Sequence, residues 1–279
     1  MSMRPAEVVR RGSRYLERHG VEAPEVSAEA LMMLVLETDR AALYARERGL
    51  SSAEARAYGR ALCLRCSGTP LQHLTGEQGF RHLVLTVRPG VFIPRPETEV
   101  LVDVALELLD GAATRCVVDL CTGSGAVALA IADEHPGAQV MATDVSEPAV
   151  ALARENAERL RLAVDVRAGD LFEPLPEECR RQVDLVVANP PYLSIEVAAD
   201  LPPEVHADPP EALFGGLEVT RRLITEAFAW LRTGGGLAVE CDERAAAAVG
   251  AAARDAGFEE VFVRRDLNGR DRVVGARRP

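Results

Sequence analysis

Strand-like and helix-like segments alternate along the chain from residue 116 to residue 256, and this alternation constrains the fold more than any other feature. Short apolar runs typical of buried strands are followed by stretches in which apolar residues recur with helical spacing. The strand-like segments are 116–120, 139–143, 164–168, 183–188 and 236–240, and the helix-like segments are 126–134, 146–160, 220–231 and 244–256. This order predicts an α/β fold, in which a parallel sheet carries helices on both faces.

The segment from 259 to 276 departs from this alternation. Residues 259–265 and 272–276 have strand-like patterns, and Asn268-Gly269 between them is a strong hairpin signal. Because the gap is too short for a crossover helix, we expect the second of these strands to run antiparallel. A parallel sheet that ends in one antiparallel hairpin strand is similar to the layout of Rossmann-like methyltransferases.

The residues before this region divide into two parts. Residues 1–68 have helical patterns, with a capping box at Ser51 and Glu54 and a second helix start expected at Ser27. After a break at Gly68-Thr69-Pro70, the alternation within 80–87 predicts a β-hairpin, and residues 97–109 resume as a helix that ends at Gly111. We therefore expect a helical domain over 1–68, a β-hairpin linker over 69–97 and a catalytic domain over 98–279.

Composition narrows the possible functions. The formal net charge is −11, which argues against a long nucleic-acid substrate because such substrates are usually held by a basic surface. With no apolar stretch of membrane-spanning length and no signal-peptide pattern, a cytoplasmic location is expected.

Cysteine placement gives a weaker signal. Cys63 and Cys66 form a lone CxxC, which fits half a metal or redox site, or simply two thiols one turn apart on a helix. The second interpretation is favoured because no other CxxC or histidine pair accompanies them. No metal is expected, since no cluster of His, Cys and carboxylate has ligand spacing.

The segment 117–125 reads as a strand, a tight turn and the start of a helix. Glycine allows the backbone to adopt positive φ and to approach a ligand closely, and the free N–H groups of the following helix face the same place. The residues expected to bind a cofactor here are Asp119, Cys121, Thr122, Gly123, Ser124 and Gly125.

Two cofactor classes fit this turn. Gly123, Gly125 and Ala128 have the GxGxxA spacing of a dinucleotide site, and Asp144, at the end of the next strand, would hold ribose hydroxyls in either class. S-adenosyl-L-methionine is favoured by Asp119, which would lie near the amino-acid end of the ligand, and by Asp170, which would meet adenine.

The tetrapeptide Asn189-Pro190-Pro191-Tyr192 follows the fourth predicted strand, where ligands of such sheets bind. The side-chain carbonyl of Asn189 and the backbone carbonyl of Pro190 could accept both hydrogens of a planar NH₂ group and leave its face open to a methyl donor. The prolines fix φ and offer no competing N–H, and Tyr192 could stack on the substrate. The alternative, a rigid turn without chemistry, is weakened by the cofactor loop upstream.

Three further segments extend the pattern: 70–76 with Phe80, 92–99 with the sequence Phe-Ile-Pro-Arg-Pro-Glu-Thr-Glu, and 208–216 with Asp-Pro-Pro-Glu-Ala-Leu-Phe-Gly-Gly. With the tetrapeptide, they resemble the HemK/PrmC family, the protein-(glutamine-N5) methyltransferases that modify class I peptide chain release factors. The resemblance implies a Rossmann-like class I methyltransferase fold with a mostly parallel seven-stranded sheet, an antiparallel C-terminal hairpin strand and a small N-terminal helical domain.

The resemblance also implies roles for individual residues. Methyl transfer would go to the glutamine amide nitrogen of a Gly-Gly-Gln motif, and the N-terminal helices would help to bind the release factor. The tetrapeptide would hold that glutamine, while residues 121–125, Asp144, Leu171 and Asn189 would contact the cofactor. Cys121 stands where many members have glycine, and Leu171 where some have tryptophan.

Three other functions stay open at this point. An adenine-N6 nucleic-acid methyltransferase uses the same tetrapeptide on a flipped base. A small-molecule N-methyltransferase could have kept the architecture, and a non-catalytic binding protein could have kept the fold.

Overall fold

The computed structural model describes residues 3–109, 115–202 and 204–279, and the chain divides into two compact units. One unit comprises Met1–Glu77 with Pro202–Ala207, and the other comprises Gln78–Leu201 with Asp208–Pro279.

The first unit is helical. Its helices are α1 (Pro5–Arg18), α2 (Pro24–Leu36), α3 (Arg40–Ala45), α4 (Ser52–Cys66) and α5 (Leu71–Thr75). Its core is formed by Leu16, Leu31, Met32, Leu43 and Tyr58, which are almost completely buried.

The capping predictions for this unit had different outcomes. The capping box at α4 is confirmed, because Ser51 and Glu54 each accept a hydrogen bond from the other's backbone N–H. The prediction that Ser27 begins a helix is wrong. Helix α2 begins at Pro24, whose fixed φ suits the first turn, and Ser27 is buried within the helix beside Arg65.

A short two-stranded sheet follows, formed by β1 (Glu77–Phe80) and β2 (Leu83–Thr86). Helix α5 precedes it and was not predicted. A 3₁₀ turn at Pro96–Thr98 leads into α6 (Glu99–Leu109), and Gly111, predicted to end this helix, lies outside the described residues.

The second unit is built on a seven-stranded sheet. Its strands are β3 (Arg115–Leu120), β4 (Ala138–Asp144), β5 (Val164–Ala168), β6 (Val183–Ala188), β7 (Leu231–Glu240), β8 (Glu259–Arg265) and β9 (Asp271–Arg277). Their order is β5-β4-β3-β6-β7-β9-β8. Strands β3 to β7 pair with one another in parallel, and β9 runs antiparallel to both of its neighbours, β7 and β8. The predicted α/β fold and its antiparallel hairpin strand are confirmed.

Helices cover both faces of this sheet. The remaining helices are α7 (Ala126–Glu134), α8 (Glu147–Leu160), α9 (Pro210–Leu213), α10 (Gly216–Trp230) and α11 (Ala246–Asp255). Successive residues of β3 enter opposite cores: Val117 packs in the core that includes α6, α7 and α8, whereas Val118 packs in the core that includes α10 and α11. Burial on both faces explains why a central strand such as β6 has a continuous apolar run rather than an alternating pattern.

The bounds of some elements differ from those predicted. Strand β7 begins at Leu231 rather than 236. Residues 232–235 have no apolar pattern, and their pairing with β6 is irregular, with Gly234 at φ +76°. Helix α10 begins at Gly216 rather than 220.

Candidate active site

A cavity opens at the carboxyl ends of the four neighbouring parallel strands β5, β4, β3 and β6. This is where ligands bind in open α/β sheets. Its lining comes from segments within 90–98, 119–127, 143–149, 169–171, 189–193 and 209–222.

The structure brings nearly all of the predicted site residues to this cavity. Those that line it are Asp119, Cys121, Thr122, Gly123, Ser124, Asp144, Asp170, Leu171, Asn189, Pro190, Pro191 and Tyr192. Gly125 is the exception: it precedes α7 as its N-cap residue with φ +86°, so it shapes the turn rather than forming the wall.

Asp119 organises the loop from within. It is almost completely buried, and its Oδ2 accepts hydrogen bonds from the Thr122 hydroxyl at 2.6 Å and from the Ala128 backbone N–H at 3.2 Å. Burial raises the pKa of Asp119 to about 7, although these two hydrogen bonds oppose the rise.

Asp144 connects the tips of two strands. Its Oδ2 accepts the Gly123 N–H at 2.8 Å and its Oδ1 accepts the Ser146 N–H at 2.9 Å. Burial raises the pKa of Asp144 as well, so both acids carry a desolvation cost when they are ionised.

These features fit S-adenosyl-L-methionine. The space that a Cβ on Gly123 would occupy contains no protein atom within 4 Å, so a ligand can approach the backbone there. A cationic ligand would stabilise the ionised forms of Asp119 and Asp144, and a carboxylate such as Asp144 also accepts hydrogen bonds from ribose hydroxyls.

Two residues of the wall adopt a left-handed backbone conformation without being glycine. Cys121 has φ +58° and Leu171 has φ +46°. The backbone carbonyl of Leu171 accepts the Thr143 hydroxyl at 2.8 Å, which ties the β5 end of the wall to β4.

The tetrapeptide is held from behind by three elements. Asn189 Nδ2 donates to Thr98 Oγ1 at 3.2 Å, and Tyr192 Oη donates to Glu240 Oε1 at 3.3 Å. At Gly215, an added Cβ would lie 2.4 Å from the carbonyl oxygen of Pro191, so only glycine permits this approach. Burial first, and the nearby Glu240 carboxylate second, raise the pKa of Tyr192.

The segment 92–99 is pinned over the same end of the sheet. Buried Asp208 accepts the Ile93 N–H at 3.0 Å and also binds the Arg95 guanidinium, which lies 5.2 Å from the centre of the Phe92 ring. The structure thus links two of the sequence segments that carry the family resemblance.

Asp170 lines the cavity, and its side chain has a partner within the protein that the sequence did not indicate. Its carboxylate pairs with Arg222 at 2.6 Å, and both side chains are about half exposed at the rim. Its predicted contact with adenine stays a prediction.

Sequence reasoning missed several residues of this site. Phe92, Thr98, Val145 and Arg222 line the cavity, and Glu240 lies behind it. The resemblance of 92–99 could have indicated Phe92 and Thr98, but no local pattern indicated that Glu240 would meet Tyr192, 48 residues earlier in the chain.

Cys63 and Cys66 both lie on α4 as free thiols. Among residues 3–109, 115–202 and 204–279, no group of three or more His, Cys, Asp or Glu side chains could hold a metal ion. Within the same ranges, none of the helices is both long and apolar enough to cross a membrane.

Comparisons with known proteins agree with this architecture. Residues 83–248 match the family model described as the methyltransferase small domain, and residues 7–76 match the PrmC N-terminal domain. Among solved structures, the T. thermophilus 16S rRNA N2 G1207 methyltransferase superposes with a TM-score of 0.56 at 22% identity, covering 73% of this chain and 50% of that one. The hMettl16 catalytic domain superposes with a TM-score of 0.56 at 18% identity, covering 81% of this chain and 80% of that one. These likenesses establish the fold.

The sequence relatives are more specific. A release factor glutamine methyltransferase of Mycolicibacterium smegmatis is 45% identical and covers 93% of this chain and 92% of its own length. One from Deinococcus radiodurans is 41% identical and covers 99% of both chains. The chain is therefore an S-adenosylmethionine-dependent methyltransferase that belongs to the release factor glutamine methyltransferase family.

Proposed function

We propose that this enzyme transfers a methyl group from S-adenosyl-L-methionine to the side-chain amide nitrogen, N5, of the glutamine in the Gly-Gly-Gln motif of class I peptide chain release factors. Relatives with this enzyme name match over nearly the full length of both chains, including the helical part. We also infer that the reaction takes place in the cytoplasm, since release factors act on ribosomes.

The observation that carries the proposal is the orientation of the Asn189 amide. Its Nδ2 donates to Thr98, and in the part of the chain that the structure describes no donor reaches its Oδ1. Because Asn189 lines the cavity, that oxygen is available to accept one N–H of a substrate amide.

The rest of the tetrapeptide supports the same chemistry. The lone pair of an amide nitrogen is delocalised, so the NH₂ group must be held with its face towards the methyl donor. The Pro190 carbonyl would accept the second N–H, and neither Pro190 nor Pro191 has a donor that could compete. The two acceptors would also stabilise the positive charge that develops on nitrogen. Bound S-adenosyl-L-methionine supplies the electrophilic methyl carbon.

We propose Asp119, residues 121–125, Asp144, Asp170, Leu171 and Asn189 as the cofactor-binding residues. Asp144 would accept the ribose hydroxyls. Asp119 would act through the loop that it holds together, and by its charge on the cationic end of the cofactor.

We propose that the helical domain, predicted over 1–68, binds the release factor. The match of residues 7–76 to the PrmC N-terminal domain supports a role shared within the family. Large apolar side chains are also exposed on this unit, among them Val26, Leu34, Tyr44 and Leu64.

The test is incubation of the enzyme with a purified class I release factor and methyl-labelled cofactor, followed by peptide mapping. We expect the label in the Gly-Gly-Gln peptide and none in a release factor whose glutamine there is replaced by alanine. Label elsewhere in the factor, or in RNA or DNA in a parallel reaction, would contradict the proposal.

A further inference from the structure

A fully buried asparagine on α8 lies behind the cofactor cavity without lining it. Asn156 is 0% exposed and belongs to the interior of this helix, which runs from Glu147 to Leu160. Asparagine is unfavourable inside helices, and a buried side-chain amide needs hydrogen-bond partners. The mechanism above gives this residue no role, so its partners indicate what it does.

The Asn156 amide uses its oxygen and both of its N–H groups. Its Oδ1 accepts the Thr86 backbone N–H at 2.8 Å, and its Nδ2 donates to the Thr86 carbonyl at 3.0 Å. The same Nδ2 donates to the Ser124 carbonyl at 3.0 Å. Because a primary amide has two N–H donors, both are taken by backbone carbonyls, and these belong to two separate segments of the chain.

The first segment is the turn at the carboxyl end of β3. Ser124 lines the cavity as part of this turn. An added Cβ on the next residue, Gly125, would lie 3.2 Å from the Cβ of Ala153, one turn before Asn156 on α8. The turn therefore lies directly against the helix, and the bond from Asn156 fixes the Ser124 carbonyl there.

The second segment continues from β2 into the opposite wall of the cavity. Thr86 is the last residue of β2, and the chain reaches the cavity four residues later, at 90–92. Val91 is buried in one apolar cluster with Ala149 and Leu152 of α8. Both walls are thus anchored on the same helix, and a single amide bonds to both segments.

We propose that Asn156 is a positioning residue for the cofactor. By bonding to Thr86 and Ser124 at once, it fixes the separation of the walls at 90–92 and 121–124 and thereby sets the affinity for S-adenosyl-L-methionine. Asn156 touches neither cofactor nor substrate in this role. The inference rests on the proposed function as far as the cofactor-binding residues are concerned, and it is independent of which substrate is methylated.

The two N–H donors distinguish asparagine from its closest analogue. An ionised aspartate has nearly the same shape but only accepts hydrogen bonds. In Asn156→Asp the side chain can still accept the Thr86 N–H, but a carboxylate oxygen would face the Thr86 and Ser124 carbonyl oxygens. These acceptors repel one another, so the two segments should move apart. Asn156→Ala removes the donors without adding a charge, and its space is polar enough for a water molecule.

The experiment measures cofactor binding by calorimetry in wild type, Asn156→Asp and Asn156→Ala, at a temperature where circular dichroism shows each protein to be folded. We expect Kd to increase roughly 10- to 100-fold in Asn156→Asp and by a smaller factor in Asn156→Ala, the scale of leaving buried polar groups unpaired. At saturating cofactor, kcat and the KM for release factor should stay close to wild type. A purely structural role would lower stability and leave the Kd of the folded protein unchanged.

The matched control is Arg159→Ala. Arg159 also joins α8 to β2, since its guanidinium donates to the Val84 carbonyl, but it is exposed and this bond does not involve the cofactor turn. Its loss should leave Kd unchanged. Wild-type Kd in folded Asn156→Asp, or an equal increase in Arg159→Ala, would overturn the proposal. If Asn156→Asp does not fold, the same comparison is made with Asn156→Ala.

A second readout needs neither cofactor nor substrate. The Gly125 N–H belongs to the same peptide group as the Ser124 carbonyl, so its NMR signal should shift in Asn156→Ala and remain in place in Arg159→Ala. An unchanged signal in Asn156→Ala would refute the hold of Asn156 on the turn. A wild type that binds the cofactor with this pattern of variants, yet fails to methylate the release factor, would instead contradict the proposed function alone.

Discussion

At the scale of single residues, the side-chain amide of Asn189 has a nitrogen that donates hydrogen bonds and an oxygen that accepts them. Its nitrogen donates to Thr98, and among the described residues no donor reaches its oxygen, which we propose accepts from the substrate. This division predicts that the side chain matters for turnover more than for cofactor binding.

We expect Asn189→Ala to reduce kcat by about 10²-fold, the usual scale for losing one positioned polar group in a transition state. Cofactor affinity should change by no more than a few fold, because the loop at Asp119 and Asp144 remains intact. Steady-state kinetics with release factor and calorimetry with the cofactor test the two parts, and unchanged turnover would remove Asn189 from the mechanism.

Cys121 offers a second prediction at this scale. Its φ of +58° is the left-handed conformation, which costs an L-residue about 1–2 kcal/mol and is worse still for a β-branched residue. Cys121→Gly should therefore keep both thermal stability and cofactor affinity close to wild type, whereas Cys121→Val should lower both.

The matched control is Cys116→Val. Cys116 lies in the extended strand β3, where a β-branched side chain is favoured, so stability should be retained. Equal losses of thermal stability in Cys121→Val and Cys116→Val would show that the left-handed backbone conformation of Cys121 is not the cause of the loss.

At the scale of elements, the segment from Asp208 to Gly215 supports the site from outside the sheet. Asp208 holds the 92–99 segment, Leu193 N–H donates to the Leu213 carbonyl at 2.9 Å, and Gly215 packs against Pro191. The shape of the tetrapeptide therefore depends on an element that contributes no reacting group.

Gly215→Ala tests this dependence. The new Cβ would meet the Pro191 carbonyl oxygen at 2.4 Å and Pro191 Cγ at 2.8 Å, so the backbone must shift at a cost of about 1–3 kcal/mol. We expect a loss of kcat of roughly 10-fold or more from displacement of Asn189 and Pro190, measured by methylation of release factor.

Gly59→Ala is the control for this prediction. Gly59 lies inside α4 with no atom within 4 Å of an added Cβ, so alanine should raise stability by about 0.5–1 kcal/mol. If Gly215→Ala kept wild-type kcat, the segment would have no influence on the tetrapeptide.

Elements of the catalytic unit could be predicted well from local pattern. Helix α7 and strands β5 and β6 have the predicted bounds, because a glycine or proline lies close to one end of each, at Gly125, Gly169 and Pro190. Thr98 and Asn189 are 91 residues apart, however, and their bond depends on how α6 packs and on the segment that Asp208 pins. Periodicity carries no information on such pairings, so the bond between Thr98 and Asn189 and the contact of Glu240 with Tyr192 required the three-dimensional structure.

At the scale of the whole molecule, buried acids couple stability to pH. Burial raises the pKa of Asp119 and of Glu240 to about 7 each. A folded-state pKa above the unfolded value means that the native state keeps protons that the unfolded chain has lost. The free energy of unfolding should therefore decrease as the pH rises from about 4, the pKa of an exposed carboxyl group, to about 7.

Each of the two groups is expected to contribute about 3 kcal/mol to this decrease. Urea unfolding of the cofactor-free enzyme at several pH values measures it, and Glu240→Gln should remove part of the slope and be more stable than wild type at pH 8. If the free energies of unfolding of wild type and Glu240→Gln had the same dependence on pH, Glu240 would not titrate in this range.

The position of β9 in the sheet has a consequence for biosynthesis. Strand β9 lies between β7 and β8, although both precede it in the chain. During translation, neither strand can find this neighbour until residues 271–277 have left the ribosome. A nascent chain interrupted before that point would leave one edge of β7 open and β8 without a neighbouring strand, and such edges invite pairing with other chains. Chains truncated before residue 271 are therefore expected to aggregate more readily than the full-length enzyme.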